Sequence, residues 1–340
     1  MAAPLLRKLI SGTGILLCCL SLQAQNGKLS AGTLKALEIR EDSLKDVSRK
    51  MVFSENPAER FRSDSIFVKT LVRALKYPFA FYYPFDSVNI SKLYAPDSSF
   101  RIFTWQLKRD EYVLLQKGAI QMNTPDGSLK LFPLIDNSMF TAKPYDSVRS
   151  NKNWIGAIYY KIIMKEANGK KYYTLIGFDD FSVSSNKKWM DVLSFNKQGE
   201  PEFGAVPISF KEDSVPRPDQ RRFSIEYKKE AKTYFNYDPE LDLIIVDHLV
   251  SETDEPEKKF TLVPDGDYEA FSWKNGQWVH KDKLFHEKLK DGDFPREALL
   301  YDDAGNVNEQ QLDDASKKNA EKKKKEEPKK PVTPVKKTKG

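Results

Sequence analysis

From Leu34 to Val52 the apolar residues Leu34, Leu37, Leu44, Val47 and Met51 recur at spacings of three, four and seven among charged neighbours. That stripe predicts an amphipathic helix. Asn56-Pro57 then supplies a cap and a proline at the first helical position, and Phe61, Phe67, Leu71, Ala74 and Leu75 keep a helical period until Pro78. Two helices are therefore expected within residues 25–93. The same segment closes on Phe79, Phe81, Tyr82, Tyr83 and Phe85, interrupted by Pro84. Aromatic side chains bury large areas, so this stretch reads as a plug that packs the helices against the next domain.

Beyond Tyr94 the period falls from about 3.6 to 2. Phe223, Ile225 and Tyr227 alternate with Ser224, Glu226 and Lys228, as on a half-buried strand. Short apolar runs recur from Phe100–Leu107 to Gln277–His280, about a dozen in all. Asp126-Gly127, Asn168-Gly169, Gln198-Gly199 and Asn275-Gly276 fall between such runs, and these dipeptides accept the positive φ of hairpin turns. The chain is thus expected to be mainly β: an antiparallel meander of about a dozen strands over residues 94–285, preceded by two helices. An irregular propeller and a two-sheet sandwich both fit, because strand pairs close on aromatics but no repeat of fixed period occurs. Residues 286–315 read as a polar linker. Residues 316–340 hold too little apolar area to offset ordering entropy and are expected to be disordered.

Charge refines the picture at both ends. The formal net charge of +6 is carried as +2 in residues 1–24 and +8 in residues 316–340, which leaves −4 between them. A folded nucleic-acid binder carries its basic charge on the folded surface, so no nucleic-acid partner is expected. Arg7 and Lys8 precede the apolar stretch Ile15–Leu22, and Leu22-Gln23-Ala24 ends it on a small residue. That order reads as a signal peptide over residues 1–24, cleaved near Ala24, with a periplasmic or extracellular address. The stretch is shorter than the roughly 20 residues a membrane span needs, so no transmembrane segment is expected in the mature chain. Cys18 and Cys19 both lie in the leader, which removes disulfides and thiol chemistry from the rest. A lipidated cysteine is the rival reading of that leader, although leucine precedes Cys18 where lipoprotein processing wants a small residue. The lysine-rich tail, interrupted by Glu321, Glu326 and Glu327, reads as a solvated extension or as a tether to anionic envelope polymers or lipid.

The usual catalytic signatures are missing. Gly12-Thr-Gly14 lies in the leader, and the helix start His286-Glu287 has lysine at position 290, where a zinc site needs a second histidine. No Gly-x-Ser-x-Gly elbow and no phosphate loop occurs. The candidates that remain are His248, inside the apolar run Ile244–Val250, the pair Asp179 and Asp180 at a strand end, and Asp265 in Val-Pro-Asp-Gly-Asp. Carboxylates so grouped can serve glycoside hydrolysis, while a histidine can act as a base. The plainer reading makes His248 a packed strand residue and the aspartates turn formers. Asp247 and His248 point to opposite faces of a regular strand and cannot pair. His280 reads as a rim residue beside Trp278, and the five tryptophans read as core. No cofactor or metal is expected.

The motifs Tyr77-Pro78-Phe79, Tyr83-Pro84-Phe85-Asp86, Phe100 to Trp105, Leu131 to Asp136, Asn151 to Tyr160, Tyr172 to Gly177, Asp191 to Phe195 and Gly199 to Gly204 follow one another in an order similar to that of a family of uncharacterised exported proteins from Bacteroidetes-type bacteria. The resemblance covers most of residues 77–278. It implies an envelope address in a diderm cell and brings no activity, cofactor or catalytic residue with it. The expected function is a non-enzymatic envelope binding or scaffolding module, with a hydrolase of envelope or polysaccharide substrates as the alternative. An enzyme should gather titratable groups in one cleft, whereas a binding module should expose an apolar or aromatic patch.

Overall fold

Ser30 opens the first helix by accepting a hydrogen bond from the Thr33 amide at 3.1 Å, and α1 runs Ala31–Phe53. Asn56 caps the second, accepting from the Ala58 amide at 2.9 Å, with Pro57 at its first position; α2 runs Pro57–Leu75. Both helices were legible from their stripes, although Leu34 remains exposed at the first turn of α1. This computed structural model describes residues 29–284. The expected leader, polar linker and lysine-rich tail lie outside the described residues.

Sixteen strands follow, in three sheets. The first sheet orders β1 (Ser91–Tyr94), β2 (Phe100–Lys108), β3 (Leu114–Met122) and β4 (Lys130–Ile135) as a simple meander. The middle sheet orders β5 (Arg149–Ser150), β9 (Pro201–Phe203), β8 (Ser185–Phe195), β7 (Lys170–Asp179) and β6 (Ile158–Ala167), and β12 (Arg222–Lys228) pairs with the free half of β8. The outer sheet orders β11 (Arg217–Gln220), β10 (Ile208–Phe210), β16 (Gln277–Lys281), β15 (Leu262–Lys274), β14 (Leu243–Ser251) and β13 (Phe235–Asp238).

Three cores lie between four layers. Leu37, Leu44, Phe67 and Leu71 of the helices pack on Phe103, Trp105 and Leu107 of β2. The opposite side chains of β2, Phe100 and Ile102, pack on Tyr173, Leu175 and Leu193 of the middle sheet. The other face of that sheet, with Ile176, Met190 and Val192, packs on Ile208, Ile244, Phe271 and Trp278 of the outer sheet. The architecture is therefore helices on three stacked sheets, a third sheet beyond the expected sandwich and without propeller blades. The extra strands are mostly short ones. The run Phe203–Phe210, legible as one strand, divides between the middle and outer sheets, and β10 enters parallel to β16, the one parallel strand pair among the described residues.

All four hairpin dipeptides form turns. Asn168 and Gly169 adopt φ of 51° and 70°, and Asn275 and Gly276 adopt 50° and 82°. Consecutive positive φ matches the right-handed twist of the flanking strands, which is why Asn-Gly is found there. The aromatic plug also forms, around a buried arginine: Phe81, Tyr83 and Phe85 are buried, and Arg101 of β2 lies among them with no exposure. No helix among the described residues is long and apolar enough to cross a membrane.

Candidate functional site

Between the first and middle sheets, β3, the end of β7 and β8 wall a cavity of about 520 Å3 closed by the segment 138–145. Asp179 ends β7 at 8% exposure and lines it. Its Oδ1 accepts from Gln116 Nε2 at 2.6 Å across the sheet interface. Burial, with the neighbouring Asp136 carboxylate, pushes the Asp179 carboxyl up to about 6 against the opposing pull of Gln116, Lys187 and Trp189. The Trp189 indole N–H is near enough to lower that pKa yet outside hydrogen-bonding geometry. It and Gln116 Oε1 are buried without a hydrogen-bond partner.

The closing segment is held at two points. Tyr145 stacks at 5.8 Å and 31° on Trp189, and its hydroxyl lies 2.8 Å from Ser224 Oγ. Behind it the Arg222 guanidinium donates to the carbonyls of Pro144 and Ser147. Lys187 is already committed: its Nζ lies 3.2 Å from Glu226 and 3.3 Å from the centre of the Phe181 ring. Around the mouth, Tyr112 is 76% exposed, Met139 63% and Phe181 42%. Met139 also lines a second cavity of about 380 Å3, together with Gln116, Asp136 and the exposed Phe140.

The four candidate residues do not converge. Asp179 enters the cavity, while its neighbour Asp180 points away and pairs with Lys229. His248 and Asp265 meet each other, Nδ1 to Oδ2 at 2.9 Å, on the β14–β15 ladder of the outer sheet. The plainer reading of Asp265 also fits, since its Oδ1 accepts from the Asp267 amide at 3.0 Å as a turn aspartate does. Asp247 faces elsewhere and accepts from the Tyr234 amide. His280 corrects the sequence reading: it is 1% exposed rather than on a rim, clamped between Asp213 at 2.7 Å and Glu269 at 2.9 Å and packed against Phe210, Phe223 and Phe271. Its strand partner Phe271 belongs to the third core, which sequence alone did not reveal. Among the described residues, no group of three His, Cys, Asp or Glu could hold a metal ion.

Gln116, Trp189 and Tyr145 were not legible as site residues. Gln116 is one polar residue within a strand, and Trp189 resembled four other tryptophans. A Cβ on Gly156 would lie 2.1 Å from Gln116 Cβ and 2.9 Å from Asp136 Cγ, so the glycine is what lets its own segment close on Gln116 of β3 and on Asp136. Gly156→Ala is expected to cost about 1–3 kcal/mol through overpacking and to displace Gln116 from Asp179, measured by urea unfolding. A cost below about 0.5 kcal/mol would show that the wall yields freely.

Asp179 also predicts a pH dependence. Its folded pKa of about 6 lies above the unfolded value, so the fold binds the extra proton. This contribution is full below about pH 4 and is lost as pH rises through 6, amounting to roughly 1–3 kcal/mol. Asp179→Asn should therefore raise stability at pH 7.5 relative to the parent and leave it little changed at pH 4. A variant less stable than the parent at pH 7.5 would contradict the assignment.

Comparison of the chain with protein-family models, curated proteins and solved structures returned no match.

Proposed function

We propose that this chain is an exported, non-enzymatic binding module of the cell envelope that engages its ligand at the cavity beside Asp179. The observation that carries the reading is the exposed apolar and aromatic rim of Tyr112, Met139 and Phe181 around a recessed polar floor. Soluble surfaces rarely leave such residues grouped without a binding role. The leader-like N-terminus and the resemblance to exported envelope proteins support the address. The lysine-rich tail adds an electrostatic contact to anionic envelope polymers.

The hydrolase reading keeps one observation in its favour, because a carboxyl raised to about 6 suits a general acid. It lacks a second carboxylate in the same cavity: Asp136 lines the neighbouring one and accepts from the Ser138 and Gly156 amides at 3.0 Å, and Asp180 and Asp265 are paired elsewhere.

Co-sedimentation of the full chain with purified envelope polysaccharide, with reducing ends assayed in the same tube, separates the two. A binding module is retained without releasing reducing ends, and Met139→Ser with Tyr112→Ser lowers retention severalfold. Release of reducing ends that disappears in Asp179→Asn would establish the hydrolase. Recovery of the chain from the cytoplasm with Met1 intact would remove the envelope address.

A further inference from the structure

We infer that the cavity holds one uncharged, hydroxyl-bearing sugar unit of an envelope glycan, with Asp179, Gln116 and Trp189 reading its hydroxyls and Tyr145 and Phe181 against its C–H faces. The inference rests on the binding-module reading and narrows its ligand.

Charge selects against ionic ligands. An anion would meet Asp179 and, behind Gln116, Asp136, while the one cation on the wall, Lys187, is engaged by Glu226 and by the Phe181 ring. A neutral ligand has no such cost. Hydrogen bonding selects for hydroxyls. The floor offers a carboxyl whose Oδ1 alone is engaged, a buried acceptor at Gln116 Oε1 and a buried donor at the Trp189 indole, and a hydroxyl both donates and accepts. Gln116 Oε1 and Trp189 Nε1 lie beneath the cavity surface, so reaching them takes a side-chain rotation of the kind that binding commonly brings.

Size and backbone then separate a sugar from a peptide. About 520 Å3 is within the range of small-ligand pockets. Extended peptides bind by adding to a free sheet edge. The strands that floor this cavity offer only a stub: β7 lies between β6 and β8, β8 between β7 and β9 with β12, and β3 runs past β4 only at Leu114–Gln116, shorter than the roughly five residues of an ordinary strand. What remains is side-chain recognition beside aromatic rings, and the apolar faces of a pyranose lie well on such rings.

The geometry carries a proton signature. A neutral ligand that excludes water from Asp179 penalises its carboxylate further, so binding takes up a proton between about pH 6 and 7. An amine would do the opposite and release one. Calorimetry of the full chain at pH 6.5, in two buffers of different ionisation enthalpy, would use methyl β-glucoside and N-acetylglucosamine as neutral probes. Glucosamine and glucuronate serve as the charged arms. The indole N–H resonance of Trp189, assigned by its loss in Trp189→Phe, reports the site.

At least one neutral sugar should move that resonance and bind with proton uptake. Its affinity should fall by up to tenfold per pH unit above 6, and this slope should vanish in Asp179→Asn. Failure of both neutral sugars to move Trp189, or binding of glucosamine alone with proton release, would overturn the inference. Retention on envelope polysaccharide with a silent Trp189 would sink this inference while leaving the binding-module reading intact. Sugar binding at Trp189 without envelope retention would do the reverse.

Discussion

Arg222→Ala is expected to lower stability by about 3–5 kcal/mol, because it strands a carboxylate inside the protein. Asp191 and Arg222 are 3% and 1% exposed, and the Arg222 Nε donates to Asp191 Oδ2 at 2.9 Å. The other oxygen of Asp191 accepts from the amides of Gly204 and Val192 at 2.7 and 2.8 Å. Arg222 meanwhile ties Pro144 and Ser147 to the middle sheet, so its loss frees the segment that closes the cavity beside Asp179. At 2–4 °C per kcal/mol, the melting temperature should fall by roughly 6–20 °C.

The paired replacement Arg222→Met with Asp191→Asn tests the cause. The amide oxygen still serves both backbone donors and no charge is left buried, so much of the stability should return. The tie to Pro144 and Ser147 does not return, and Tyr145 should stay loosened from Trp189. A loss below about 1 kcal/mol in Arg222→Ala would show that the pair is structurally idle.

Local signals in the chain decide local structure. Asn56-Pro57 fixes a helix start within four residues, and Asn168-Gly169 fixes a turn within two. The layering was hidden for a physical reason. Strands β7 and β8 are covered on both faces, so Tyr173 to Phe178 and Trp189 to Leu193 lose the polar half of their alternation and cannot announce which neighbour each face meets. The division of Phe203–Phe210 between two sheets turns on Gly204, whose φ of 74° redirects the chain beside Arg222.

The site was legible only in part. Asp179 stood out as one of two acids at a strand end, but its partner Gln116 is 63 residues away and its environment is made by tertiary packing. Tryptophans are indistinguishable in sequence until their N–H groups are followed. Trp105 donates to Asp64, Trp154 to Tyr159 and Trp278 to Thr174, whereas Trp189 donates to nothing in the protein. A buried donor without a partner has a cost, which is why that indole is a better pointer to function than its burial.

The aromatic plug leads to the second large effect, at Arg101. Its guanidinium is fully buried with only neutral acceptors: Gln121 Oε1 at 2.8 Å, the Tyr94 hydroxyl at 2.8 Å, and the carbonyls of Tyr83 at 2.5 Å and Ala80 at 2.8 Å. The rings of Phe85 and Phe103 lie 5.2 and 4.7 Å from its carbon centre, and their π faces supply the negative potential that no carboxylate provides. Burial lowers its pKa to about 10, so the charge is held at neutral pH. Arg101 thereby rivets the segment 80–85 to β2, and that segment shares one core with the helices and adds to their direct packing on β2. Arg101→Met keeps most of the stem's volume and removes the rivet, leaving the Ala80 carbonyl with only the Tyr83 amide and the Tyr83 carbonyl with only a long contact to the Tyr94 hydroxyl, at 3.1 and 3.5 Å. It should cost about 3 kcal/mol or more. Hydrogen exchange should locate the loss, with protection falling in residues 77–85 and in both helices while the outer sheet is unchanged. Arg101→Lys should recover less than half, because one ammonium cannot span the Ala80 and Tyr83 carbonyls as the planar fork does. A methionine variant within 1 kcal/mol of the parent, with helix protection intact, would show that the aromatic packing alone holds the helices in place.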